Sequence, residues 1–257
     1  MNKIGLKLWN INTDYYFDEA RRLYDEGVFD YIELYIVPDN VDKLEKWKTL
    51  KIPFDIHAPH YAHKMNLAKP EFLEQNMRKA KEVLLYANEL SADRIVFHGG
   101  SGGSYIETAK QLKIINDNRI LIENKPYETL PFVNEPYYTG AKINEIKYIM
   151  EKTGCGLCLD IGHCICAANS FKIDPFKYIS DFVSLHPQRI HLSGIHIETN
   201  MDEHLHYREG NLDYKKLFDV LPENINITIE TKKDSKTDLN DYKEDALYLK
   251  KLLSVSR

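Results

Sequence analysis

Short apolar runs alternate along the chain with longer segments of helical periodicity. The runs are rich in Ile, Leu, Val and aromatic residues, and each has the length of one β-strand. They read IGLKLW, YIELYI, FDIHAP, RIVFHG, RILIEN, GLCLDIG, RIHLSGI and INITIET. The clearest helical segment extends from Pro70 to Leu90, where apolar residues recur at spacings of four and three. The pattern predicts eight strands, each followed by a helix.

This alternation indicates the fold class. Strands that alternate with helices pair in parallel through right-handed crossovers, and eight such units in about 250 residues are typical of a (β/α)8 barrel. We therefore expect an α/β protein with a single TIM-barrel domain over residues 1–257. An open doubly wound sheet is the alternative, but it normally carries a glycine-rich turn after its first strand. Here the first strand is followed by Asn10-Ile11-Asn12, which contains no glycine.

Composition narrows the function classes. The net charge is -5 and the longest basic clusters are dipeptides, which weighs against nucleic acid as a partner without excluding it. No run of about 18 apolar residues could serve as a membrane span. The four cysteines all lie between Cys155 and Cys166, unlike the spread of a secreted disulfide framework. We expect a cytoplasmic protein with reduced thiols and no membrane association, and no protein partner is implied.

Ionisable side chains cluster where the predicted strands end, which is where barrel enzymes place their catalytic residues. The third to eighth strands carry His57, His98, Glu123, Asp160, His191 and Glu230 in this position. The loops after the sixth and seventh strands add His163, Asp202 and His204. So many carboxylates at one barrel mouth would raise each other's pKa unless cations compensated them. Imidazole and carboxylate together suit zinc, manganese or iron, so this pattern predicts a metal centre.

These motifs resemble the endonuclease IV (AP endonuclease family 2) branch of the xylose isomerase-like TIM barrels. The resemblance covers residues 54–232 and rests on motifs at the strand ends. They are His57-Ala58-Pro59 with Asn66-Leu67, His98-Gly99-Gly100, Ile122-Glu123-Asn124, Asp160-Ile161-Gly162-His163, His191-Leu192, Asp202-Glu203-His204 with Glu209-Gly210-Asn211, and Glu230-Thr231.

The resemblance implies up to three divalent ions, with Zn²⁺ expected and Mn²⁺ as the alternative. The first ion would be held by His57, His98 and Glu123. The second, bridged by Glu123, would be held by Asp160, His191 and Glu230. The third would be held by His163, Asp202 and His204. The resemblance also implies that a hydroxide between the first two ions attacks phosphorus, with Glu123 and Glu230 orienting it.

Two ligand positions have alternatives. His60 has the family's spacing to the downstream asparagine, whereas His57 is the better strand tip. His196 also follows a strand-like run, whereas His191 has the family's distance to the downstream aspartate. We favour His57 and His191.

Two functions follow from the resemblance. The first is phosphoester hydrolysis, acting on abasic DNA or on a smaller phosphorylated compound. The second is isomerisation or epimerisation of a sugar or sugar phosphate, in which Glu123 and Glu230 would be the acid/base pair and His163 would hold a hydroxyl. Sugar isomerases of the superfamily do not require His98 or the pair Asp202 and His204, so these three residues favour the hydrolase. A barrel that merely binds metal is ranked last.

Other segments favour the sugar enzyme. DNA-cutting members of the family carry a basic probe after the second strand, but here Val37-Pro38-Asp39-Asn40 has none. Glu33, in the second strand, resembles an I-E-L motif of the sugar isomerases, and a solvated strand residue is an equally good interpretation of it. The aromatic loop from Lys125 to Gly140 predicts a lid or binding surface that would suit either a sugar or a nucleobase.

Overall fold

Eight parallel strands close into a barrel in chain order, with the first strand paired to the eighth. The computed structural model describes residues 2–255. The strands are β1 (Ile4–Trp9), β2 (Tyr31–Tyr35), β3 (Phe54–His57), β4 (Ile95–His98), β5 (Ile120–Glu123), β6 (Gly156–Asp160), β7 (Arg189–Leu192) and β8 (Asn226–Ile229). All eight predicted strands are confirmed. The closed barrel excludes the doubly wound sheet.

Helices follow the strands and surround the barrel. They are α1 (Phe17–Asp25), α2 (Leu44–Lys48), α3 (Leu73–Glu89), α4 (Tyr105–Ile115), α5 (Ile143–Thr153), α6 (Ile161–Phe171), α7 (Pro175–Val183), α8 (Tyr214–Val220) and α9 (Asn240–Val255). The helix predicted from Pro70 begins as a 3-10 turn, Pro70–Phe72, and continues as α3. Across residues 2–255, no helix is both long enough and apolar enough to cross a membrane.

The two faces of the strands differ in chemistry. Because side chains alternate along a strand, apolar residues face outward, and the barrel interior holds polar residues together with a small cluster of Val96, Leu121 and Cys158. In β1, Leu6 and Leu8 are fully buried in the hydrophobic cluster that also contains Leu23 of α1. Lys7, which lies between them, forms an ion pair with Glu33 of β2 at 2.6 Å. The main hydrophobic core therefore lies between barrel and helices, and much of the barrel interior is polar.

The amino-terminal layer of the interior is held by a buried ion pair across the barrel. Arg189 of β7 donates from Nε to Asp55 Oδ2 of β3 at 2.6 Å, and its guanidinium lies 5.8 Å from the centre of the Tyr31 ring. Gly5 is required beside this ring, because a Cβ there would lie 2.5 Å from a Tyr31 carbon. This layer lies two residues before His57 and His191 along β3 and β7.

Substituting Asp55 tests this layer. We expect Asp55→Asn to lower the free energy of unfolding by about 3 kcal/mol, because the buried guanidinium loses its buried carboxylate partner and keeps only the exposed Asp93. Urea denaturation would measure the change. Glu45→Gln, which breaks an exposed pair with Lys48, is the control and should change stability by less than about 1 kcal/mol. Equal effects of the two substitutions would contradict the role of the buried pair.

Candidate metal centre

A cavity of about 540 Å³ opens at the carboxyl ends of the strands. Its lining includes seven of the nine expected ligands, namely His57, His98, Glu123, His163, Asp202, His204 and Glu230. The other two, Asp160 and His191, lie beneath the surface with exposures of 4% and 0%. The fold thus brings all nine expected side chains to one barrel mouth.

The first expected group meets at a single oxygen. Glu123 Oε2 lies 3.2 Å from His57 Nε2 and 3.1 Å from His98 Nε2. The Nδ1 of His57 donates to the Ala58 carbonyl at 2.8 Å, because a carbonyl can only accept. In the neutral imidazole the lone pair of Nε2 therefore points at a carboxylate oxygen. Burial lowers the pKa of both His57 and His98, which favours this neutral form.

The second expected group centres on His191. Its Nδ1 lies 3.1 Å from Glu230 Oε1 and 4.0 Å from Asp160 Oδ2. Its Nε2 lies 2.9 Å from Glu33 Oε2 and donates to that carboxylate, so Nδ1 is left facing the two ligand carboxylates. The Asn124 side chain connects the end of β5 to the end of β6 by two hydrogen bonds. It accepts one from the Asp160 amide at 2.7 Å and donates one to the Asp160 carbonyl at 2.9 Å.

The third expected group meets at Asp202. Its Oδ2 lies 3.2 Å from His163 Nε2 and 2.7 Å from His204 Nε2. The opposite nitrogen of each imidazole donates to a backbone carbonyl: His163 Nδ1 to Asn124 at 2.9 Å, and His204 Nδ1 to Glu230 at 2.8 Å. Both rings are therefore held with Nε2 toward the carboxylate.

These contacts fit divalent ions. Metal-binding histidines usually donate their second ring nitrogen to a carbonyl or carboxylate, as His57, His163, His191 and His204 do here. Two buried atoms that face the groups, His191 Nδ1 and Asp202 Oδ1, have no hydrogen-bond partner among the described residues. Nitrogen and oxygen donors that converge in this way suit Zn²⁺ or Mn²⁺.

The structure shows where the two alternative ligands, His60 and His196, lie. His60 stacks on His98 with ring centres 5.0 Å apart, but its Nδ1 accepts from the Ala62 amide, and it is His57 that contacts Glu123. The His196 side chain is 49% exposed and contacts Glu203 at 3.1 Å. His196 therefore lies outside the three groups, whereas His191 lies within them.

Two lysines in the centre were not recognised from the sequence. Lys7 Nζ lies 2.6 Å from Glu33 Oε1 and 2.7 Å from Glu230 Oε1. Lys125 Nζ lies 3.0 Å from His163 Nε2. Two features of the sequence could have indicated them: Lys7 lies inside an apolar strand, and Lys125 directly follows the I-E-N motif.

Glu33 is fully buried, so its interpretation as a solvated strand residue is wrong. Besides Lys7 and His191, it accepts a hydrogen bond from Thr228 Oγ1 at 2.7 Å. These contacts hold it beneath the centre, where it supports the expected ligand His191.

The aromatic loop from Lys125 to Gly140 forms one wall of the mouth. Phe132 at its tip is 73% exposed and packs near Tyr61, with ring centres 5.9 Å apart. Tyr138 is buried on the other side of Tyr61, also at 5.9 Å. The loop therefore presents an aromatic surface next to the third ligand group.

A family model described as a xylose isomerase-like TIM barrel matches residues 18–252. The chain belongs to this family.

Two curated relatives of this xylose isomerase-like barrel match part of the chain. A UPF0276 protein of Rhizobium meliloti is 26% identical over 147 residues, which cover 57% of this chain and 45% of that protein. The probable endonuclease 4 of Carboxydothermus hydrogenoformans is 32% identical over 130 residues, covering 45% of this chain and 42% of that protein. The matches thus span less than half the length of either relative. The expected resemblance to the endonuclease IV branch is confirmed.

Solved structures share the fold along nearly the whole chain. A D-tagatose 3-epimerase-like protein has a TM-score of 0.74 at 18% identity, covering 99% of this chain and 98% of that one. Endonuclease IV from Thermus thermophilus has a TM-score of 0.67 at 17% identity, covering 97% and 99%. At these identities the likeness shows the fold, which phosphoester hydrolases and sugar epimerases can share.

Proton release on metal binding tests the electrostatics of the third group. Burial would lower the pKa of His163, but Asp160 and Asp202 raise it to about 10. Burial would likewise lower the pKa of His204, but Asp202 raises it to about 9. An ion must displace these protons at neutral pH, so binding should release protons and strengthen as the pH rises toward 9.

Calorimetric titration of the metal-free protein with Zn²⁺ at pH 7, in two buffers of different ionisation enthalpy, would count the released protons. We expect about three, from His163, His204 and His191. Burial would lower the pKa of His191, but its neighbours Cys158, Glu230 and Glu33 hold it well above the usual range. In His204→Gln the count should fall by about one. Binding with no proton release would contradict this description of the group.

Proposed function

We propose that the chain is a divalent metal-dependent phosphoester hydrolase that acts on abasic DNA or on a smaller phosphorylated compound. The observation that carries the proposal is the convergence of nine suitable ligands in three groups. Three of them, His98, Asp202 and His204, would have no part in a sugar isomerase centre of this superfamily. Each contacts a carboxylate or imidazole of its own group at 2.7–3.2 Å.

Bound ions would activate a water molecule and neutralise the oxygens of the phosphoryl group and of the leaving alkoxide. His57, His98 and Glu123 would hold the first ion. Asp160, His191 and Glu230 would hold the second, with Glu123 between these two groups. His163, Asp202 and His204 would hold the third.

Glu230 would orient the attacking water. Burial alone would raise its pKa, but His191 and Lys7 lower it to about 2, so the carboxylate is anionic at neutral pH. An anionic carboxylate can accept a hydrogen bond from water at Oε1 or Oε2, but it has no proton to donate. Lys7 Nζ contacts this carboxylate at 2.7 Å.

The substrate's anionic group would face Lys125, whose Nζ lies at the cavity wall between the first and third groups. The exposed ring of Phe132, together with Tyr61, would pack against the rest of the substrate. Such a surface suits a sugar or a nucleobase, so both substrate classes stay within the proposal.

The sugar isomerase or epimerase alternative is less well supported. A residue that takes a proton from carbon and returns it works best with a pKa near the working pH. Burial would raise the pKa of Glu123, but His98 and Lys125 lower it well below the usual range, and the pKa of Glu230 is lowered to about 2. Glu33, whose motif resembles that of the sugar isomerases, is already paired with Lys7 and His191.

We also propose a cytoplasmic location. The four cysteines are free thiols, and three of them are buried, as suits a protein in a reducing compartment.

Turnover of three substrates by the zinc-loaded protein would test the function. We expect cleavage of an abasic duplex or of bis(p-nitrophenyl) phosphate, and no interconversion of ketoses. His98→Gln should reduce cleavage at least about 100-fold, since loss of even an outer partner of a metal ligand can cost that much. His196→Gln changes the same residue type outside the centre and should retain full cleavage. Ketose turnover without phosphoester cleavage would overturn the proposal.

A further inference from the structure

The three ligand groups differ in their contacts with lysine. In the second group, Lys7 Nζ lies 2.7 Å from Glu230 Oε1, the same oxygen that faces His191 Nδ1. In the third group, Lys125 Nζ lies 3.0 Å from His163 Nε2, the same nitrogen that faces Asp202. Each lysine thus contacts a ligand atom that an ion would need.

The first group is different. Within residues 2–255, no lysine or arginine forms a hydrogen bond or ion pair with His57 or His98. Lys125 approaches Glu123 on Oε1, at 3.6 Å, whereas His57 and His98 approach Oε2, which His191 Nδ1 also faces at 3.4 Å. The three donor atoms of the first group therefore face one another without a competing ammonium on either imidazole.

We propose that the centre binds its divalent ions in two classes: one tight ion at His57, His98 and Glu123, and weaker ions at the other two groups, in competition with Lys7 and Lys125. An ammonium that occupies a ligand atom must be displaced before an ion can bind there. It also leaves a positive charge a few ångströms from the ion, which repels it at the low dielectric of a buried site.

Each lysine has a second contact that allows such a displacement. Lys7 can keep its 2.6 Å pair with Glu33 while Glu230 turns to an ion. Lys125 lies 5.7 Å from the centre of the Tyr138 ring, on which an ammonium can rest. The two lysines are therefore positioning residues that exchange with ions, and they compensate the carboxylates when ions are absent.

The proposal rests on the ligand groups of the proposed function but not on its reaction, so it can be tested without any substrate. The 257-residue chain, stripped of metal with a chelator, would be titrated with Zn²⁺ in competition with a chromophoric chelator. We expect one ion to bind at least tenfold more tightly than the others. His98→Ala should abolish the tight class and leave the weaker one.

Variants at the lysines assign the weaker class. Lys7→Gln removes the ammonium but can still donate a hydrogen bond to the buried Glu33, and it leaves in place the carboxylate that orients His191. We expect Lys7→Gln and Lys125→Met each to tighten one weaker ion at least tenfold and to leave the tight ion unchanged. Lys236→Met removes the same charge as Lys125→Met from an exposed position and should change neither class.

Circular dichroism of each metal-free variant would verify that it is folded before titration. Three ions of equal affinity in the unsubstituted chain would overturn the proposal. So would the absence of a tight ion, or unchanged weaker binding in folded Lys7→Gln and Lys125→Met. Loss of phosphoester cleavage with this binding pattern intact would count against the proposed function only.

Discussion

Buried negative charge at the barrel mouth is the constraint on which the rest of the site depends. Glu33, Glu123 and Asp160 are each less than 5% exposed, and the Glu230 side chain is 11% exposed. Carboxylates in such surroundings are costly unless cations or hydrogen-bond donors compensate them. Lys7 and the imidazoles supply part of that compensation, and divalent ions would supply the rest. The polar barrel interior, the lysines and the metal ligands are thus parts of one charge balance.

The orientation of the imidazoles follows from the layer around them. Backbone carbonyls fix His57, His163 and His204, and the carboxylate of Glu33 fixes His191. Each of these partners belongs to the barrel or to a segment attached directly to it. The donor atoms are therefore aimed at the centre before any ion binds, which reduces the reorganisation that binding requires.

The sequence was most informative where a local pattern determines the structure. Each strand appeared as a short apolar run, and in the third to eighth runs an ionisable residue near the end marked the barrel mouth, because the parallel strands of a barrel bring their carboxyl ends together. Contacts between distant strands were not predictable in this way. Lys7 meets a glutamate 223 positions away, and Arg189 meets an aspartate 134 positions away. The sequence near each residue indicates neither contact, because it shows only a charged residue within an apolar run.

The direction of individual side chains was the other feature that the sequence could not predict. His57 and His60 lie three residues apart, and the sequence favoured His57 only by its strand position, whereas the structure shows that His57 contacts Glu123 and His60 stacks on His98. The strand position of His57 fixes its direction through the barrel wall, whereas His60 lies in the following loop. His191 and His196 differ in the same way, one inside β7 and the other beyond its end.

Anomalous diffraction at the zinc absorption edge, from crystals of the zinc-loaded protein, tests the central claim most directly. The account predicts a strong peak at about 2.0–2.2 Å from His57 Nε2, His98 Nε2 and a carboxylate oxygen of Glu123. Zinc found only at surface pairs such as His196 and Glu203, with the barrel mouth empty, would contradict it.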